Sequence, residues 1–376
     1  MLSRNFLPTL LLSTLLCAAL PAVAAPRYAV TALPAGSNPT GINNAGQIVG
    51  DIGIEGGGRR AFTWSAGTLV QYGTLGGSDS AALAINDSGR IIGNVSTLSG
   101  DRRAVTGSGG ALTDLNVFGG TVSSFGRAIN NGGQVAGAYN TPGGMGRAFS
   151  RSGALEIDLG TLGGSFAVAN GINSAGDIVG FSSLDDTSAF LAHAFLYSGG
   201  VMQDLGTMAG ASLSEATAIN DSGVITGHGW VAGSQHAFIY SDGIMRDLGT
   251  LGGRDSFAYD INNLGQVVGH ANDPNDFDFF AYIYDAGRMT NLNTLIDPAS
   301  GWTLYAAAGI NDSEQIAAYG CRADQCGAVL LDLAVPVPEP GTLALLAAGL
   351  MLLGSRRYTG RQMDNIARQM RAFSPP

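Results

Sequence analysis

The stretch "INSAGDIVG", residues 172–180, decides how the chain is read, because it is one of seven copies. "INNAGQIVG" begins at Ile42, "INDSGRIIG" at Ile85, "INNGGQVAG" at Ile129, "INDSGVITG" at Ile219, "INNLGQVVG" at Ile261 and a degraded "INDSEQIAA" at Ile310. The steps between copies are 43, 44, 43, 47, 42 and 49 residues. Within each copy an Ala-rich approach ends in Asn, and N-x-x-G supplies the residues that a type I turn prefers at its first and fourth positions. A second strand follows ("QIVG"), then a variable loop, then a Phe/Tyr-rich strand ("AFLY"), a short "SGG" or "SDG" turn, and a fourth strand ("VMQDL"). Four strands at a period in the forties are the signature of a propeller blade.

The ends of the array fit a closed ring. The seventh copy supplies three strands, "LYAAAGIN", "QIAAYG" and "AVLLDL", and then reaches Pro336 and Pro338. "YAVTAL", residues 28–33, resembles the missing outer strand. The expectation is an all-β, seven-bladed β-propeller over residues 25–334, its last blade completed by the N-terminal strand, with an open β-solenoid as the alternative. The repeated "HAF.Y…DLGTLGG…AIN..G.VVG" pattern, with "HAFLY" from His193 and "HAFIY" from His236, resembles the HAF repeat family. That resemblance implies an extracellular repeat protein and brings no enzymatic activity with it.

Composition agrees with many short strands and tight turns. Gly makes up 57 of 376 residues, about twice its usual share. The chain has no Lys, and its formal net charge is −10. Residues 25–338 hold 13 Arg against 27 Asp and Glu, so a basic nucleic-acid footprint is absent.

Residues 1–24 read as a signal peptide: Arg4, the apolar run "LPTLLLSTLLCAALPAV", and the small-residue site Ala22-Val23-Ala24. In an exported chain, Cys321 and Cys326 favour a disulfide across a hairpin over a metal pair, for which no further ligand lies nearby. After Leu333 the composition changes to "AVPVPEPGTLALLAAGLMLLGSRR", where the prolines end the sheet and an apolar segment, read as a helix over 341–354, precedes Arg356 and Arg357. Pro338-Glu339-Pro340, the apolar helix and the Arg pair together resemble the PEP-CTERM sorting signal, here over 335–357. The resemblance implies transient anchoring in the inner membrane and removal of the tail by an exosortase-type protease. Residues 358–376 depart from the pattern as a basic extension carrying Arg361, Arg368 and Arg371.

The residues that look like chemistry repeat with the blades. His193 and Asp204 stand eleven apart, as do His236 and Asp247, Arg103 and Asp114, and Arg147 and Asp158. Wherever the second position is Asp, the first is Arg or His; Arg60 goes with Gln71, and Phe280 with Asn291. A catalytic dyad needs one special copy, so these are read as structural pairs, directly opposite if the hairpin turn has two residues. His228 and His270 occupy a repeated position that tolerates Asp51, Asn94, Ala138, Phe181 and Tyr319, which points to a loop or strand edge. Asp273, Asp276 and Asp278 in "NDPNDFDFF" offer a weak Ca²⁺ site without EF-hand spacing. No cofactor motif and no G-x-S-x-G elbow is found.

The function these observations imply is an exported, non-enzymatic propeller at the cell surface or in the extracellular matrix, a binding or structural scaffold whose partner is an exopolysaccharide or surface protein. The alternative is a propeller enzyme acting on extracellular glycans, for which non-repeated acids such as Glu156 and Glu215 would have to gather at one face.

Overall fold

The computed structural model describes residues 27–120, 123–186, 191–208, 211–275 and 278–334. The expected signal peptide, the sorting segment with its apolar helix, and the extension lie outside them. The described residues form seven four-stranded antiparallel sheets, joined by a few short 3₁₀ turns. Blade four is representative: innermost strand Ala167–Ile172, then Ile178–Ser183, Ala192–Ser198 and outer strand Val201–Asp204. Each innermost strand packs on those of the two neighbouring blades, and that of blade one touches both blade two and blade seven. The stack therefore closes into a propeller and is not an open solenoid.

Closure uses the first strand. Tyr28–Ala35 pairs with Gln325–Leu333, from Tyr28 opposite Leu333 to Ala35 opposite Gly327, and becomes the outer strand of blade seven. One residue beyond, the Ala334 amide donates to the Arg27 carbonyl at 2.8 Å. The edge that blade seven would otherwise expose is thus paired.

The repeated phrase encodes three devices. The first is the turn: the Gly176 amide donates to the Asn173 carbonyl at 3.1 Å, and the Asn173 side-chain oxygen accepts from the Asp177 amide at 2.9 Å. The second is a ring. The Nδ2 of each turn Asn donates to the carbonyl of the matching Asn one blade on: Asn43 to Asn86, then Asn130, Asn173, Asn220 and Asn262, then Asn311 and back to Asn43, at 3.0–3.4 Å. These Asn residues are buried, so the amide has no water to fall back on and the bond selects this residue type.

The third device is a β-bulge two residues before each Ile, seen in blade four as a register shift between Ala169 and Gly171. It swings the Val168 carbonyl over Gly180, where a Cβ would lie 1.9 Å from that oxygen. The glycine that closes "DIVG" is required by this approach. In blade seven, Ala318 takes its place, and the innermost strand keeps the shift between Ala307 and Gly309 with a further one between Leu304 and Ala306.

The hydrophobic core lies between blades. In the third strands of five blades Ala is followed by an aromatic, and Phe62, Phe149, Phe195, Phe238 and Tyr282 are each fully buried. Phe195 packs with Ile178 and Ala169 of its own blade and with Ala136, Ala148 and Leu159 of blade three. Each such ring contributes roughly 1.5–3 kcal/mol by removal from water.

Candidate functional site

The eleven-residue pairs belong to the hairpins of the third and fourth strands. In blade four the turn is Gly199-Gly200, so Asp204 stands opposite Phe195, not opposite His193 as the directly paired register required. The difference is two residues, which keeps both side chains on one face. They meet diagonally, His193 Nδ1 at 2.9 Å from Asp204 Oδ1, and His236 Nδ1 meets Asp247 Oδ2 at 2.7 Å with Asp247 opposite Phe238. Arg147 reaches Asp158 at 3.1 Å. Arg103 and Asp114 form no ion pair, which corrects the fourth expected pair; nothing in the structure explains this departure.

All four aspartates share another contact. Asp114 accepts from the Asn116 amide, Asp158 from Gly160, Asp204 from Gly206 and Asp247 from Gly249, at 2.7–2.9 Å. These bonds to the amide two residues on are Asx turns, which steer the chain into the next blade. The cationic partner is an addition to that role.

The cysteines lie directly opposite each other and are bonded, with Cα atoms 4.0 Å apart. Asp273 accepts from the amide and side chain of Asn275. Asp276 lies outside the described residues, and among the described residues no three His, Cys, Asp or Glu side chains group as a metal site. Glu156 lies on the outer strand of blade three, bonded to Arg151 at 2.8 Å and to the Phe118 amide at 2.9 Å, whereas Glu215 lies on the innermost strand of blade five.

The densest polar chemistry lines the central channel. At the mouth formed by the N-x-x-G turns, Asn44, Asp87, Asn131, Ser174, Asp221, Asn263 and Asp312 surround a polar cavity of about 180 Å³. Amides there donate to the side chain one blade on, as Asn263 N does to Asp312 Oδ1 at 2.8 Å and Asp312 N to Asn44 Oδ1 at 2.9 Å. Partial burial disfavours the Asp221 charge, but hydrogen bonds from Ser174 and Asn263 outweigh it and hold this carboxyl below the ordinary range. Beyond this mouth comes the Asn ring, then the ring of isoleucines.

On the far side of the isoleucines a second cavity, of about 220 Å³, is lined by the bulge residue of every blade: Thr40, Leu83, Arg127, Asn170, Thr217, Tyr259 and Ala308. A bulge re-aims one side chain, and here the same distortion in seven blades delivers seven side chains to the lumen. The frame repeats, but this column does not. Blades three to six supply Arg127, Asn170, Thr217 and Tyr259. Behind them, Glu215 Oε1 accepts from Asn170 Nδ2 at 3.0 Å, and His228 Nε2 lies 3.8 Å from Glu215 Oε2. Tyr259 Oη is 2.9 Å from His270 Nδ1, and Phe257 lies between the two histidine rings at 5.1 and 4.8 Å.

Burial governs the charges. It raises Glu215 above the ordinary carboxyl range against the opposing pull of Arg127 and the Asn170 bond, and it lowers Arg127, with Glu215 opposing. Burial pushes His228 down to about 4, helped by His270, and His270 to about 4. Asp260 is pushed up to about 6 by burial, although it accepts from the amides of Ile310 and Ile261. His228 and His270 sit inside second strands, their rings tilted against Phe257, and not in loops or at strand edges. The bulge column was missed in the sequence because the isoleucine phrase begins two residues after it. The signal was available as the one position in the approach strand where Thr, Leu, Arg, Asn, Tyr and Ala all occur.

A separate apolar cleft of about 680 Å³, lined by Met145, Phe166, Phe181 and Leu213 among others, opens at blades three to five.

Fold and channel define a seven-bladed propeller closed through its N-terminal strand. The PEP-CTERM protein-sorting motif matches residues 336–357, the mark of an exported protein handled by an exosortase in the membrane. No curated protein matches the chain. Among solved structures, a puromycin-hydrolyzing peptidase of Mycobacterium tuberculosis is similar with a TM-score of 0.54 and 13% identity over 86% of this chain; the chain spans 55% of that peptidase's length. The β-propeller domain of the Trilobed protease from Pyrococcus furiosus, described as having an open velcro topology, gives 0.50 and 14% over 68% of this chain and 83% of that one. YCF48 bound to D1 peptide gives 0.50 and 11% over 84% and 99%. At these identities the likeness is one of fold.

Proposed function

We propose that the protein is an exported, non-enzymatic propeller, anchored transiently in the inner membrane and displayed at the cell surface or released to the extracellular matrix once an exosortase removes its tail, where it serves as a binding scaffold for exopolysaccharide or a surface protein. The observation that carries this reading is the sorting motif at residues 336–357. The HAF-type phrase, which recurs as His193-Ala194-Phe195 and His236-Ala237-Phe238, supports an extracellular repeat protein. The separation of Glu156 from Glu215 across strands of different blades favours a scaffold over a glycosidase, which needs two carboxyl groups flanking one bond.

Replacing Pro338, Glu339 and Pro340 with Ala should leave an uncut, membrane-held precursor in a host that carries an exosortase. Release of the variant at the wild-type rate would refute processing through this signal. Binding of the released protein to a glycan array tests the scaffold role, and turnover of any arrayed glycan would favour the enzyme instead.

A further inference from the structure

The seventh copy of the phrase departs from the other six at its turn glycine. Gly46, Gly89, Gly133, Gly176, Gly223 and Gly265 close their turns at φ +73 to +88°, the left-handed region that glycine enters without steric cost. In the last copy Glu314 stands at this position with φ +60°, and its amide still donates to the Asn311 carbonyl at 3.0 Å. The turn is built as in the other blades, but with a side chain in a conformation that disfavours one.

That side chain is fully engaged. Glu314 Oε2 accepts from the Arg27 guanidinium and, at 3.0 Å, from Gln266 Nε2. Gln266 is buried, and its Oε1 accepts from Asn262 Nδ2 at 2.7 Å, which fixes the amide with its donor toward Glu314. Arg27 also lies 3.8 Å from Asp285 of blade six and packs over the Tyr28 ring, 5.4 Å from its centre. Tyr28 is buried, and its amide donates at 3.0 Å to the carbonyl of Leu295, in the segment that joins blades six and seven. The start of the closing strand is therefore fastened to both blades, and the one charged residue among the seven turn positions supplies the central contact.

We propose that Glu314 is the catch of a clasp that holds the closing strand shut. It occupies a glycine's place because its carboxylate receives Arg27, and without it Tyr28–Ala35 opens as a strap while the rest of the ring stays folded. Backbone strain and clasp act on different equilibria. The strained turn belongs to the hairpin of Thr303–Ile310 and Ile316–Arg322, so its φ is the same whether the strap is paired or open. Strap opening reads the clasp alone, whereas global unfolding reads both.

Hydrogen exchange of the Tyr28–Leu33 amides, followed by mass spectrometry on the full chain beside the thermal midpoint, separates the two. Glu314→Gly removes the carboxylate and suits the backbone, and it should speed strap exchange about threefold or more. Glu314→Ala removes the carboxylate and keeps the strain, so it should show the same acceleration at a lower midpoint than Glu314→Gly. Arg27→Met should accelerate exchange at least as much, and adding Glu314→Gly to it should accelerate it no further. Raising salt from about 0.05 to 0.5 M should speed strap exchange in the wild type and leave Glu314→Gly unchanged, because screening acts on the ion pair. Strap exchange unaltered by Glu314→Gly, or exchange that follows the midpoint across all the variants, overturns the clasp.

Discussion

Asn311 donates through Nδ2 to the carbonyl of Asn43 at 3.0 Å, joining the last copy of the repeat to the first across 268 residues of chain. Its Oδ1 meanwhile accepts from the amides of Ser313 and Gln315. Asn311→Asp keeps the acceptor and replaces the donor with an oxygen that faces the Asn43 carbonyl. The variant should lose about 1–3 kcal/mol in urea denaturation near neutral pH, and an unchanged midpoint would show that the ring closes without this bond.

The Asx turns predict an order of effects within one hairpin. Asp204→Ala removes the acceptor for the Gly206 amide as well as the His193 contact, whereas His193→Ala removes only a partly exposed pair. The first should cost about 1–2 kcal/mol and the second under about 1 kcal/mol. Asp114→Ala should resemble Asp204→Ala although Asp114 has no Arg103 contact. Equal losses for His193→Ala and Asp204→Ala would show that the pair, not the turn, is what matters.

Gly180→Ala places a methyl group where the Val168 carbonyl passes, at 1.9 Å, and the bulge has to open or the strand shift. A loss of about 1–3 kcal/mol or more is expected. Gly53→Ala, with nothing within 4 Å of the added carbon, serves as the control and should change stability by under about 0.5 kcal/mol. Comparable losses in both variants would remove the close approach as the reason for the glycine.

The buried histidines give stability a pH dependence of known sign. His228 and His270 titrate at about 6.5 when unfolded and at about 4 in the fold. Through that window the unfolded chain takes up protons that the native one refuses, so their contribution is complete above 6.5 and is lost as the pH falls. Asp260, raised from 3.8 to about 6, acts in the opposite sense: its contribution is present below 3.8 and is lost as the pH rises through 6. His228→Phe should reduce the stability lost between pH 6.5 and 4 by an amount of the order of 1–3 kcal/mol. Asp260→Asn should steepen that loss. Parallel stability curves for His228→Phe and wild type would contradict the burial of this group.

Reduction of the Cys321–Cys326 bond closes the set. The two stand five positions apart in sequence, so the loop the bond closes is short, and loop-closure entropy predicts a loss of about 2 kcal/mol. Calorimetry with and without reductant should show a lower transition that is still a single cooperative step; separate melting of blade seven would contradict this.

Blade number, strand count and the N-terminal closure were legible in the sequence because each follows from a repeated phrase and from one strand missing at the end. Register was less so. A "SGG" turn leaves open which residues form the bend, and the difference of two residues that separates His193 from direct opposition to Asp204 does not alter the hydrophobic pattern. The bulges were invisible for a related reason: a bulge repeated in every copy is part of the period and raises no mismatch between copies. Arg127 and Tyr259 stood in view, but their convergence depends on that hidden distortion.

The pairing of Tyr28–Ala35 with Gln325–Leu333 sets the order of events during folding. The first strand cannot find its partner until nearly the whole array is available, so the sheet it completes is the last to form and has by far the longest sequence separation. Until then the early blades wait with one end of the stack unsealed, exposed to proteases and to strands of other molecules. Segment 336–357 follows the partner strand directly. A tail that holds the chain at the membrane would keep it tethered while the seam seals, and cleavage beyond residue 334 would then release a ring that is already locked.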